Sequence, residues 1–185
     1  MARYSKTDFP LHDARCHLET GPIVLVSSAW QGDTNIMTMG WHTMLQFTPA
    51  LFGCYLWDGN HSYDLIRRSG ECVINVPTAD LADAVVGIGN CTGSRLDKFE
   101  AFGLTAMAGS RVNAPLIDEC YANFECRLVD DRQVDEYGLF IWEIVQAHVA
   151  PAVTEPETLH YRGKGQFRVA GRVLDYSDRF KPQNL

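Results

Sequence analysis

A mainly β fold, an antiparallel barrel with a few peripheral helices, is predicted by three features of the sequence. The strand-like runs are short, rich in β-branched and aromatic residues, and bounded by Gly or Pro. Two of them, late in the chain, resume apolar–polar alternation on either side of a polar turn, as the arms of a hairpin do. Helical patterns are few and do not alternate with the strands, which argues against a parallel α/β sheet. With 185 residues, 46% of them hydrophobic and 21% charged, the chain suits one globular domain that folds without a metal or disulfide staple.

The first strand is expected over 23–29, a β-branched run behind Gly21-Pro22. The next spans 35–45, after the turn-like Gln31-Gly-Asp-Thr34. Its alternation would put Asn35, Met37, Met39, Trp41 and Thr43 on one face and Thr38, Gly40 and His42 on the other. Further strands are expected over 51–57, 71–76, 119–129 and 139–149. In the run 119–129 Cys120, Ala122, Phe124, Cys126 and Leu128 alternate with Glu119, Asn123, Glu125 and Arg127, which predicts one wet face. His148 reads as a surface histidine by the same alternation. A helix over 63–69 would be capped by Ser62 and stopped by Gly70. A second carries Leu81, Ala84, Val85 and Ile88 at helical spacing, with Asp80 and Asp83 in its first turn. A third, over 96–102, would end at Gly103. Strands of this length, joined by turns, favour a closed barrel.

Charge and composition exclude several classes. The net charge is 16 − 23 = −7 and the pI about 5.3, and no basic stripe runs through the chain, so nucleic acid is not an expected partner. The densest basic stretch is Arg162-Gly-Lys164-Gly-Gln-Phe-Arg168, followed by Arg172. No apolar run approaches the roughly 18 residues of a membrane helix and the N-terminus has no cleavage signature, so a cytoplasmic protein is expected. The six cysteines form no Cys-x-x-Cys pair, and buried thiols are the default reading. Cys16-His17 has no second pair at ligand spacing, and no metal site is expected.

The usual catalytic signatures are missing: no Gly-x-Ser-x-Gly, no P-loop, no His-Glu-x-x-His, no Gly-x-Gly-x-x-Gly. Gly87-Ile-Gly89 reads as a helix ending. An enzyme built this way would leave the hard chemistry to a bound cofactor. Asn35-Ile-Met-Thr-Met-Gly-Trp41 suits a flat polarisable ring as well as it suits a core strand. Asn60-His-Ser-Tyr63 offers N–H groups and a hydroxyl to an anion, or simply caps a helix. Lys98 could neutralise a phosphate or stay solvated. Trp30 and Trp57 read as packing residues.

Taken in order, several segments resemble a known family. They are Gly21-Pro-Ile-Val-Leu-Val-Ser-Ser, Asn35-Ile-Met-Thr-Met-Gly-Trp41, Phe47-Thr-Pro-Ala-Leu, His61-Ser-Tyr-Asp-Leu-Ile-Arg, Glu71-Cys-Val-Ile-Asn-Val-Pro, Ser94-Arg-Leu-Asp-Lys-Phe and Leu159-His-Tyr-Arg-Gly-Lys-Gly. Their order and spacing resemble the flavin reductase-like, FMN-binding split-barrel proteins, and among them the flavoredoxin type. The resemblance implies an antiparallel Greek-key split β-barrel, one domain over 1–185 with a core over 21–171 and a tail over 172–185. It implies a homodimer that holds FMN without a covalent bond near its interface. Asn35, Met37, Thr38, Met39 and Trp41 would line the flavin, with Cys54 under or beside the ring. Ser62 and Tyr63 would reach the ribityl or phosphate end, and Lys98 would pair with the phosphate.

The activity implied is hydride transfer from NADH or NADPH to bound FMN and on to an acceptor. The alternative is a flavoredoxin-type electron-transfer flavoprotein served by a redox protein. Two departures lean toward the alternative. Tyr137 stands where many two-component reductases have a histidine that meets the nicotinamide, and Trp142 where glycine is usual. Catalysis would rest with the flavin, leaving His160 and Tyr137 as the side-chain candidates. The tail, with Tyr176, Phe180 and Pro182, would reach over a partner subunit or fray.

Overall fold

The computed structural model of the chain describes residues 5–13, 21–179 and 181. Cys16, His17, Phe180 and Pro182 lie outside the described residues. The strands among the described residues are β1 (Thr7–Asp8), β2 (Val24–Trp30), β3 (Asp33–Met39), β4 (His42–Gln46), β5 (Leu51–Tyr55), β6 (Glu71–Val76), β7 (Ala106–Met107), β8 (Leu116–Ile117), β9 (Ala122–Asp130), β10 (Leu139–Val149), β11 (Leu159–Tyr161) and β12 (Phe167–Val169). The α-helices are α1 (His61–Ser69), α2 (Ala82–Gly89), α3 (Lys98–Ala101) and α4 (Val134–Tyr137).

An eight-stranded antiparallel sheet runs in the order β3-β2-β6-β9-β10-β5-β4, with β1 also paired to β10. The β9–β10 hairpin is the predicted one, and two register shifts along it bend the sheet as bulges do. The expected closed barrel is corrected: β3 and β4 are the sheet's two ends and do not pair with each other. The single strand expected over 35–45 is corrected too. It breaks after Met39 because the chain turns a corner at Gly40, where an added Cβ would lie 2.8 Å from Ile23 Cδ1. The strand expected over 51–57 stops at Tyr55, and the one expected from 119 begins at Ala122.

Among the described residues the two larger of three cores lie on the two faces of the curled sheet. Inside it, Val24, Val26, Phe52, Phe124, Phe140 and Trp142 pack together. Outside it, Leu25 and Ile36 meet Val85, Ile88, Phe99 and Leu104 under α2 and α3. Strand β2 feeds both, which explains its unbroken apolar run. Cys54, Cys72, Cys120 and Cys126 are buried free thiols, whereas Cys91 is partly exposed. Burial pushes Cys54 up to about 12 and also raises Cys72 and Cys120.

Helix α1 begins at His61 with Asn60 as its N-cap, not Ser62. Ser62 is buried inside the first turn, where its hydroxyl accepts from Asn35 Nδ2 at 2.9 Å and from Ser28 at 3.4 Å. Gly70 ends the helix in the left-handed region at φ 66°, its N–H donating to Ile66 O, as a C-terminal glycine does. Helix α2 follows a 3₁₀ turn over Ala79–Leu81. The third predicted helix shortens to α3, whose N-cap Asp97 accepts from Phe99 and Glu100 N–H.

The wet face expected on β9 is dry in part. Asn123 and Glu125 are fully buried: residues 110–112 fold over Glu125, and the Asn123 amide donates to Asn75 Oδ1 and Ile117 O. The Glu125 carboxylate accepts from the Ser110, Arg111 and Val112 N–H groups and the Ser110 hydroxyl, at 2.6 to 3.0 Å. His148, far from being a free surface histidine, lies 2.8 Å from the same carboxylate through Nε2.

A cleft along the open edge of β3

Strand β3 pairs with β2 on one side only, and three cavities follow its other edge. The largest, about 580 Å³, lies between Thr38–Trp41, helix α2 and the β11–β12 hairpin; its walls include Ile23, Val85, Val86, Tyr161 and Phe167. A second, about 240 Å³, is bounded by Met37–Trp41, Tyr55 and Trp57. The third, about 460 Å³, is lined by Asn35, Asn60, His61, Thr92, Gly93 and Lys98. Neighbouring cavities share Thr38, Met37 and Asn90, so the three form one cleft. Its ends differ: hydrocarbon and aromatic rings at one, amides, hydroxyls and a cation at the other.

The strand edge supplies backbone groups to this cleft. Ile36 O accepts from Lys98 Nζ at 2.9 Å, away from β2. Backbone groups of alternate strand residues point the same way, which turns the N–H and C=O of Thr38 to the same open edge. The Thr38 hydroxyl donates to Val85 O at 2.7 Å and ties α2 to the strand. Met37 and Met39 pack their side chains in the inner core while both residues border the cleft.

Lys98 is 5% exposed. Its ammonium donates to Ile36 O and Ile88 O at 2.9 and 3.0 Å, and among the described residues no carboxylate pairs with it. Burial lowers its pKa. Two of three N–H donors are used, and the third is free for an anion. A buried cation satisfied only by carbonyls favours an anionic ligand strongly.

Asn35 carries the complementary group. Its Nδ2 is held by Ser62, while Oδ1 is buried with no partner. Gly93 lies against that oxygen so closely that a Cβ there would come within 2.1 Å. An orphaned acceptor calls for a donor, such as a hydroxyl or ring N–H.

The remaining candidates are scattered. Trp41 is 73% exposed at the junction of the first two cavities, its ring 5.5 Å from that of Tyr55. Cys54 does not face the cleft; its thiol is in the inner core, accepting from Trp142 Nε1 at 3.3 Å. Ser62 sits behind Asn35, and Tyr63 packs edge-on against Phe140, 5.6 Å away, beside a further hollow that includes Tyr137 and adjoins the second cavity at Tyr55 and Trp57. His160 bonds Thr158 Oγ1 through Nε2 at 3.0 Å and is not among the cavity's walls, whereas Tyr161 is. Trp57, read as a packing residue, is 60% exposed and lines two of the cavities. Val85 and Phe167 escaped the sequence reading because apolar residues at regular spacing signal core whether they face core or ligand.

Comparisons with known proteins agree with this architecture. The family model described as the flavin reductase like domain matches residues 17–169. An uncharacterized protein of Archaeoglobus fulgidus is 36% identical over 111 residues, covering 60% of this chain and 63% of that protein's length. The crystal structure of an FMN-binding domain of a flavin reductases-like enzyme from Shewanella baltica superposes with a TM-score of 0.89 at 26% identity, over 95% of this chain and 99% of its own. The flavoredoxin of Desulfovibrio vulgaris shares the fold, with a TM-score of 0.78 at 23% identity over 85% of this chain and 90% of its own. Among the described residues no helix is long and apolar enough to cross a membrane.

Proposed function

The chain belongs to the flavin reductase-like family, and from that membership we propose that it is an FMN-dependent oxidoreductase whose cofactor lies along the open edge of β3. The observation that carries the proposal is the cleft's polarity. FMN is a flat apolar ring, a polyol and a phosphate in a row, and the cleft offers matching groups in that order. Lys98 and the N–H groups near Thr92 and Gly93 would take the phosphate, Asn35 Oδ1 would accept from a ribityl hydroxyl, and Thr38 would present its N–H and C=O to the ring's polar edge. Val85, Val86, Ile23 and Phe167 would exclude water from the ring's face. Bound FMN would supply the hydride and electron-transfer chemistry.

NADH or NADPH would deliver hydride in the largest cavity, whose lining residues carry no ionisable carboxylate or ammonium, in keeping with a nicotinamide ring. Backbone donors at the β3 edge would stabilise negative charge gained on the ring during reduction. A second reading, an electron-transfer flavoprotein, is favoured by Tyr137: it stands apart from the largest cavity, in a different hollow, so no side chain there replaces the nicotinamide-facing histidine of the two-component reductases.

A second copy of the chain would complete the molecule. Trp41, Leu45, Phe47, Tyr55 and Trp57 are exposed together around β4 and β5, an apolar surface of the kind that marks an interface. We place the homodimer contact there, beside the cleft. The test of function is an absorbance spectrum of protein titrated with FMN, then mixed anaerobically with NADH and NADPH in turn. Bleaching of bound flavin within seconds is expected of the reductase; persistence until dithionite is expected of the carrier; failure to take up FMN would overturn both.

A further inference from the structure

The β11–β12 hairpin has two chemically different faces. Its register pairs Leu159 with Val169 and Tyr161 with Phe167. These residues share one face, and Tyr161 and Phe167 form a wall of the largest cavity. His160 pairs with Arg168 on the other face, and Arg162, two residues beyond His160, continues it. At the tip Lys164 stands exposed between Gly163 and Gly165, all three at positive φ. Arg172 follows the second strand.

All four of these cations are exposed, and among the described residues none forms an ion pair with a carboxylate. No Asp or Glu occurs between residues 158 and 174 of a chain whose net charge is −7. An uncompensated positive patch on an acidic molecule steers an anionic partner to that patch. Arg162 and Arg168 sit across the hairpin from the cavity rather than in it. That placement favours a partner seated on the surface over a small phosphate-bearing ligand held inside.

We propose that the outer face of this hairpin docks an acidic one-electron redox protein. The docked partner's surface would then be separated from the cavity by a single two-stranded layer, on the order of 10 Å. The proposal rests on the flavin reading. In the reducing direction two carriers each lose one electron, and the bound flavin gains both together with two protons from solvent.

The experiment measures binding of an oxidised plant-type [2Fe–2S] ferredoxin, an acidic probe, by calorimetry. It compares FMN-loaded protein with the double variant Arg162→Gln/Arg168→Gln, at low salt and at about 0.5 M salt, where charges are screened within a few ångströms. The expected result is binding to the unmodified protein at low salt, weakened at least about tenfold by the double substitution and lost in salt. The flavin spectrum and FMN affinity should be the same in both proteins, and basic cytochrome c should not bind. Equal ferredoxin binding to both proteins, no ferredoxin binding, or preferential binding of cytochrome c would overturn the proposal. So would a selective loss of NADPH affinity in the variant, which would assign the cations to a nucleotide phosphate. Failure of the unmodified protein to take up FMN would sink the flavin reading instead, and ferredoxin binding to FMN-free protein reports on the docking face independently.

Discussion

Lys98 and Glu125 are both buried charges, and each makes a prediction at the scale of one side chain. Lys98→Ala should weaken FMN binding by about 1.5–3 kcal/mol, the range for a hydrogen bond to a charged group. Quenching of FMN fluorescence during titration measures it, and an unchanged Kd would remove Lys98 from the site. For Glu125, burial alone would raise the pKa, but hydrogen bonds from His148, Ser110 and Arg111 outweigh it and hold the carboxyl at about 2. A depressed folded-state value stabilises fully above the ordinary carboxylate range and is lost as pH falls toward 2. Denaturant midpoints should therefore drop between about pH 4.5 and 2, and Glu125→Gln should flatten that drop. Neither burial was legible in the sequence. Lys98 looks solvated because its carbonyl partners, Ile36 and Ile88, carry no side-chain signal. Glu125 alternates correctly along β9, but the loop that dries it has no periodicity to announce a contact with a distant strand.

Elements with local signals were easier to read than their junctions. Strands β6 and β10 fall where apolar patterning puts them, and α1 ends at Gly70 as its glycine requires. The break of the 35–45 run at Gly40 went unseen, since the cause is the tertiary neighbour Ile23. Gly87-Ile-Gly89 closes α2 as a helix ending does, with Asn90 as the C-cap donating to Gly87 O; what the pattern did not show is that an added Cβ at Gly87 would come 2.3 Å from Phe102 Cε1. Gly87→Ala should force Phe102 outward and lower stability by about 1–3 kcal/mol, as overpacking does. Because α2 walls the cleft through Val85 and bonds Thr38, the same variant should also loosen flavin binding. Thermal denaturation with and without FMN checks both effects; an unchanged melting temperature would mean that α2 tolerates the methyl group.

At the scale of the molecule, the sheet order and the two-sided burial of β2 place the cleft on an outer edge, next to the exposed rings of Trp41, Tyr55 and Trp57. Family resemblance made that arrangement legible; composition and periodicity pointed only to a barrel. If the aromatic surface joins two copies, Phe47→Glu brings like charges together across a two-fold axis. Light scattering should then fall from twice the 20.7 kDa chain mass toward one chain, and a mass unchanged by the substitution would move the interface elsewhere. A different property follows from the sulfur atoms. A thiol-reactive dye meets Cys91 in the native protein, but Cys54, Cys72, Cys120 and Cys126 are sealed in the cores and can react only when those cores part. The slow phase of labelling is thus a stopwatch for opening, and its slowing by added FMN would report how firmly the cofactor holds the protein shut.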